Sequence, residues 1–376
     1  MRVMTLQTTP AATWRKDLER LGPQLEAAGE ACDREGGFVA DSLQALHERG
    51  FFALAVPAEL GGGGLEADEL CAMLRALGRH CGSTALALAM HTHLVAVAAW
   101  RWRHQKAPTE GLLKKVAEGA RLVSSGASDW LPGGGVAEKV EGGFRITARK
   151  PFASGSPAGD LLSTSAVYDD PETGPTVLHF ALPIKGEGVS LSETWDTLGM
   201  RGTGSHDLVV EGAFIPDAAV SGKRTPGPWH PLFHAISMLA FPLIYSVYAG
   251  VADAAKDIAV RSVGKKSDTL TVLATGELVT AHAGLDALWT ALVAVTHGQP
   301  GEASTDQAMK LRNLVGQQAL KVGDLAMELA GGSGFYRAKG LELRFRDLQG
   351  ARYHPLRTRE QQLYSGRFAL GLSVDG

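Results

Sequence analysis

The chain has 376 residues, 45% of them hydrophobic and 20% charged, which is enough apolar side chain for one or two real cores and excludes disordered and fibrous classes. A net charge of -3 with both signs interspersed leaves no footprint for nucleic acid, so a small-molecule substrate and further copies of the chain are the expected partners. Cys32, Cys71 and Cys81 are odd in number and lack metal-ligand spacing, which points to a reducing cytoplasmic setting without disulfides or zinc. No stretch approaches the roughly 18 consecutive apolar residues of a membrane span, and the N-terminus has no signal-peptide core, so no membrane span is expected.

Apolar residues recur three and four apart from about Thr13 to Ala31 and from Leu65 to His104, so the first third is expected to be helical. Between these stretches Pro57 and the run Gly61-Gly62-Gly63-Gly64 make an exposed turn. His91 and His93 are two apart and point to different faces of a helix, so they are not a metal pair, and each reads as a packing or surface histidine.

Near residue 121 the pattern changes to short β-prone runs, such as Phe144-Arg145-Ile146-Thr147 and Thr176 to Leu182, between Gly, Pro and Asp clusters. A small β-barrel or sandwich is expected over residues 121–225. Two of its stretches, Ser124-Ser125-Gly126-Ala127-Ser128-Asp129 and Phe152-Ala153-Ser154-Gly155-Ser156, are rich in small hydroxyls. They are either ordinary turns or a cradle for the polar edge of a heterocycle whose face Phe152 covers.

Helical periodicity returns from His230, through Ala240–Val263, Leu270–Val295 and Thr305–Leu329. The expected organisation is a helical domain over 1–120, the β domain, and a helical bundle over 226–376. That order is not an alternating βαβ pattern, and no GxGxxG or P-loop is present. The last long helix runs into Ala330-Gly331-Gly332-Ser333-Gly334, which is either a glycine C-cap or a place where bare backbone lets a flat ligand approach.

Four motifs in order resemble the acyl-CoA dehydrogenase superfamily of flavoproteins. Pro57-Ala58-Glu59-Leu60-Gly61-Gly62 is similar to the family's early P-E-x-G-G turn, and Leu198-Gly199-Met200-Arg201 to its LGMR segment, continued through Asp207 to Pro216. Gly331-Gly332-Ser333-Gly334 and Arg346-Asp347 are similar to its GGxG and R-D elements. The resemblance covers nearly the whole chain and implies a mainly α protein with a central β domain. It also implies FAD, or FMN, between the β domain and the C-terminal bundle, and a homo-oligomer, dimer or tetramer, because the adenine site is shared between subunits.

Carried over residue by residue, Ser124, Ser125 and Ser128 would meet the pyrimidine edge of the flavin, Phe152 its face, and Ser154 its N5. Arg261 would touch the pyrophosphate, while Glu328, Gly331 and Gly332 would meet the adenine end of a neighbouring subunit's FAD. Dehydrogenases of the family remove an α-proton with a glutamate, and the two positions where it is usual hold Pro355 and Ala235. His354 lies beside the first, at an offset similar to the two-component flavin monooxygenases of the same fold. The resemblance therefore implies an FAD-dependent dehydrogenase acting on an acyl-thioester-like substrate, with a CoA thioester as one candidate and an electron-transfer protein as partner. The alternatives are a monooxygenase fed by a flavin reductase, with His354 titrating near neutral pH, and a catalytically silent homologue.

Overall fold

The computed structural model describes residues 13–125 and 129–375. Helices come first: α1 (Trp14–Glu35), α2 (Ala40–Glu48), α3 (Ala67–His80), α4 (Gly82–Gln105) and α5 (Glu110–Ala117). Eight strands follow, β1 (Leu122–Ser124), β2 (Val136–Val140), β3 (Gly143–Ala153), β4 (Leu161–Asp170), β5 (Gly174–Pro183), β6 (Val189–Ser192), β7 (His206–Pro216) and β8 (Val220–Arg224). The chain closes with α6 (Pro231–Val263), α7 (Thr269–Ala294), α8 (Glu302–Ala330), α9 (Leu341–Leu348) and α10 (Thr358–Ala369).

The strands form one sheet in the order β6-β7-β3-β2-β4-β5-β8, with β1 pairing in parallel to β4. Alternation along β3 turns Phe144, Ile146 and Ala148 inward, where they meet Leu178, Phe180 and Ile215 in a core separate from that of the helices. α6 is the axis of the bundle. Pro231 sits in its first turn, where no backbone N–H is needed, and the His230 ring accepts from the Leu232 N–H at 3.2 Å to cap it.

Three helical stretches, Gly82–Gln105, Pro231–Val263 and Thr269–His297, are long and apolar enough by length and composition alone to cross a membrane. Scattered small polar residues interrupt these stretches without making them hydrophilic, which is why no unbroken apolar run marks them in the sequence. The apolar windows of the first two are 89% and 94% buried inside the protein, so neighbouring helices already cover them. The third, α7, is only 33% buried and exposes Leu270, Val272, Leu273 and Val279.

One contact locks the sheet to the bundle. Met200, in a left-handed conformation, donates its backbone N–H to the carboxylate of Asp347, which is buried at 3% exposure. Gly199 lies so close to the Arg346 carbonyl that no side chain fits there. Arg346 in turn donates to both carboxylate oxygens of Asp33 at 2.8 and 2.7 Å and to the Leu198 carbonyl at 2.9 Å. The segments similar to LGMR and R-D are thus two halves of one joint.

Candidate active site

A cavity of about 580 Å³ lies between α4, β1, β4, β5 and the first turns of α6. Ser124 and Ser165 line it, are 5% and 0% exposed, and have hydroxyls with no hydrogen-bond partner among the described residues. The indole N–H of Trp130, also on the lining, is buried and unpartnered in the same way. Leaving polar groups dry and unpaired costs free energy, and three such groups, themselves closed to solvent, cluster in the wall of this one space.

Among the described residues Asp129 is the only carboxylate on the lining, and it is fully engaged. The hydroxyls of Ser125 and Thr164 donate to it, and the Ser165 N–H reaches it at 3.3 Å. The ammonium of Lys150, completely buried, is paired with it and also donates to the carbonyls of Gly134 at 2.6 Å and Ser165 at 2.7 Å. Burial lowers the Lys150 pKa and Asp129 opposes that shift.

The two histidines of α4 divide into different roles. Leu122 N–H donates to His91 Nδ1 at 2.9 Å, so the His91 proton sits on Nε2 and is given to the Phe52 carbonyl at 2.8 Å. Both nitrogens are spent, and His91 is structural. His93 gives its Nδ1 proton to the Ala89 carbonyl at 3.2 Å and keeps the Nε2 lone pair free, on the cavity lining. Reading the sequence as packing histidines missed this, since the spacing of His91 and His93 carries no sign of which ring is spent.

His354 is not on the cavity lining but lies within electrostatic reach of His93. α9 ends at Leu348, a single tight turn covers Gln349–Arg352, and His354 projects from the bend after it. Its Nε2 is 2.6 Å from the hydroxyl of Tyr248 on α6. Tyr248 is fully buried with no other partner among the described residues, so its proton has nowhere to go but Nε2, and His354 carries its own proton on Nδ1. Arg312 holds the turn from the other side. It donates to the Tyr245 hydroxyl, which donates to the Ala351 carbonyl at 2.9 Å, and it reaches the His354 carbonyl at 3.4 Å. Arg312 is 2% exposed with no acidic partner among the described residues, and sequence reading gave no hint of it.

Burial, then the Arg312 cation and then His93 push the His354 pKa down to about 3. Against the expectation of a histidine titrating near neutrality, desolvation and the neighbouring unpaired guanidinium both disfavour a second proton on this half-buried ring. Burial likewise holds His91, His93 and His179 at about 4. Each of these rings binds protons more readily unfolded, so stability is full above about pH 6.5 and is lost as pH falls toward about 4. Asp347, raised by burial to about 6, works in the opposite direction over part of that window, one group against four. Thermal unfolding followed from about pH 4.5 to pH 7 should show Tm climbing to a plateau; a flat profile would mean that these rings are not held neutral.

The residues expected around a flavin fall into two groups. Ser124 and Ser125 line the cavity, whereas Phe152 and Ser154 sit at the end of β3 and do not. Phe152 takes a left-handed conformation (φ 58), is 56% exposed as a residue and sets its ring edge-on to Trp195 at 6.0 Å, which leaves aromatic surface open. Ser154 Oγ is 2.8 Å from Ser205 Oγ, which is 2.7 Å from Thr203 Oγ1. Thr203 gives its single proton to the Met200 carbonyl at 2.9 Å. Each hydroxyl has one proton, so Ser205 donates to Thr203 and Ser154 to Ser205, and Ser154 presents only lone pairs outward. The chain of hydroxyls behind it thus makes Ser154 an acceptor on its outward side.

Arg261 and Glu328 are exposed in the last turns of α6 and α8, and Gly331 and Gly332 open onto free space with Gly331 left-handed (φ 56). α6 lines the cavity with Leu232, Phe233 and Ile236, so Arg261 lies about 38 Å further along it at 1.5 Å per residue. These four residues are not brought to the cavity. Ser128 lies outside the described residues. The orphaned Ser124 hydroxyl, the open aromatic surface of Phe152 and the bare Gly331-Gly332 turn are compatible with a flavin.

Residues 21–119 match the family described as acyl-CoA dehydrogenase, N-terminal domain. The chain is 26% identical over 374 residues to YdbM of Bacillus subtilis, named as a candidate acyl-CoA dehydrogenase, covering 93% of this chain and 94% of that one. It is 27% identical over 386 residues to the amino sugar nitrososynthase DnmZ of Streptomyces peucetius, covering 96% and 94%. The X-ray structure of KijD3 in complex with FMN and dTDP-3-amino-2,3,6-trideoxy-4-keto-3-methyl-D-glucose superposes with a TM-score of 0.87 at 25% identity, over 99% of this chain and 97% of that one. By helix-sheet-helix order, by the match of residues 21–119 and by these likenesses over nearly its whole length, the chain is similar to flavoproteins of the acyl-CoA dehydrogenase fold.

Proposed function

We propose that this chain is a flavin-dependent oxidoreductase of the monooxygenase kind, oxidising a small molecule held in the cavity. The observation that carries the reading is the absence of a free carboxylate on the lining among the described residues, where Asp129 is engaged with Lys150 and His93 keeps an unspent Nε2. Flavin, reduced by a separate reductase, supplies when bound the two electrons that let dioxygen deliver one oxygen atom to substrate and the other to water. His93 takes a proton from the substrate's O–H or N–H, and the neutral His354, its tautomer set by Tyr248, donates a hydrogen bond from Nδ1. Ser154, presenting lone pairs, favours a reduced flavin, whose N5 bears a hydrogen, over an oxidised one. A nitrososynthase and an FMN complex among the similar proteins support this reading. The dehydrogenase alternative, with hydride passing from an acyl thioester to FAD and on to an electron-transfer protein, needs a base that Ala235 and Pro355 cannot supply.

A homo-oligomer belongs to the same proposal. The uncovered apolar face of α7, together with Phe335 and Tyr336 exposed at 82% and 67% beside the Gly331-Gly332 turn, is surface that another copy would cover. The test is a titration of the protein with oxidised and with anaerobically reduced FMN and FAD. Reduced flavin should bind more tightly, and Ser154→Ala should erase the difference. On admitting oxygen, the loaded protein should hold a long-lived species whose spectrum matches neither oxidised nor reduced flavin. Tighter binding of oxidised flavin with inertness to oxygen would establish the dehydrogenase instead.

A further inference from the structure

We propose that the cavity takes a small aromatic anion, a ring carrying a phosphate or carboxylate. The anionic end meets Arg101 and Lys115, and the ring lies against Trp130 and Phe233. This rests on the reading of the cavity as the substrate site and adds the class of substrate.

The inference comes from counting protons on the lining. Ser124, Ser165 and the Trp130 N–H are buried and unpartnered. Arg224 Nε–H donates to His179 Nε2 at 3.0 Å, so His179 carries its proton on Nδ1, which has no partner among the described residues. Arg101 spends only its Nε–H, on Gln105 at 3.2 Å, and Lys115 has no ion pair among the described residues. Against these donors stands one obligate acceptor, His93 Nε2.

Charge points the same way. Lys150 neutralises Asp129, the only acid on the lining among the described residues, which leaves Arg101 and Lys115 uncompensated. Arg224, packed behind His179 with its guanidinium 4.7 Å from the Phe233 ring, has no carboxylate bonded to it either. A cationic ligand would meet three like charges, and a hydrocarbon would leave the Arg101 guanidinium facing it without an acceptor. An anion rich in acceptors satisfies both conditions. The aromatic body follows from the wall, where Trp130 and Phe233 pack with centroids 4.9 Å apart.

Isothermal titration of the full flavin-free chain with phenyl phosphate, phenylacetate and the neutral phenylacetamide tests this without turnover. It therefore stands or falls apart from the oxygen chemistry. At least one anion should bind about tenfold or more tightly than the amide, more weakly in high salt, and Arg101→Gln combined with Lys115→Gln should remove that preference. Whichever anion binds better identifies the head group as a phosphate ester or a carboxylate. Equal affinity for the amide, no binding of either anion at millimolar concentration, or a preference that survives in the double variant would overturn the proposal.

Discussion

His354→Ala is expected to fold, bind flavin and lose about two to four orders of magnitude in turnover, the range for a positioned proton donor or acceptor. Tyr248→Phe should produce part of that loss while leaving the imidazole in place, because only the tautomer is released. The two are separable by nitrogen-15 shifts of the histidine ring. The wild-type protein should show His354 protonated at Nδ1, and Tyr248→Phe should show a mixture. A wild-type ring protonated at Nε2 would refute the tautomer assignment whatever the kinetics do. With a pKa of about 3 the ring is neutral across the working range, so its removal should lower the whole pH profile without deleting a limb between about pH 5 and 8.

Lys150→Ala should cost about 3–5 kcal/mol, measured by denaturant unfolding, because it strands a carboxylate among buried groups. Lys150 has no exposed surface and carries three contacts, to Asp129 and to the carbonyls of Gly134 and Ser165. Lys150→Met with Asp129→Asn should recover much of the stability, since an uncharged pair has little to desolvate. If the single variant loses less than about 1 kcal/mol, the pair is solvated and Asp129 is available for chemistry.

The helices were legible because their apolar periodicity is local, and the motif segments because backbone geometry demands particular residues. Gly199 is an example: it abuts the Arg346 carbonyl, and the need for glycine shows in the letter itself. The working parts of the site were less legible. His91 and His93 share one helix and differ only in which nitrogen a distant backbone group occupies, Leu122 N–H in one case and none in the other. Arg312 lies mid-helix like any surface arginine, and its isolation comes from Tyr245, Phe241 and the His354 turn closing round it. The direction of the Ser154 bond depends on a carbonyl three hydroxyls away. Hydrogen-bond direction is a property of the assembled network, and no window along a sequence contains it.

The joint at Asp347 has a consequence for the order of synthesis. Arg346 binds Asp33, 313 positions earlier, and Asp347 binds Met200, 147 positions earlier, so these distant segments meet only once residues 346 and 347 have left the ribosome. Until then α6 has no His354 for Tyr248, and the bed for the Arg346-Asp347 segment is open. A nascent chain stalled before residue 341 should be bound by chaperones and sensitive to protease, and release of α9 should end both together.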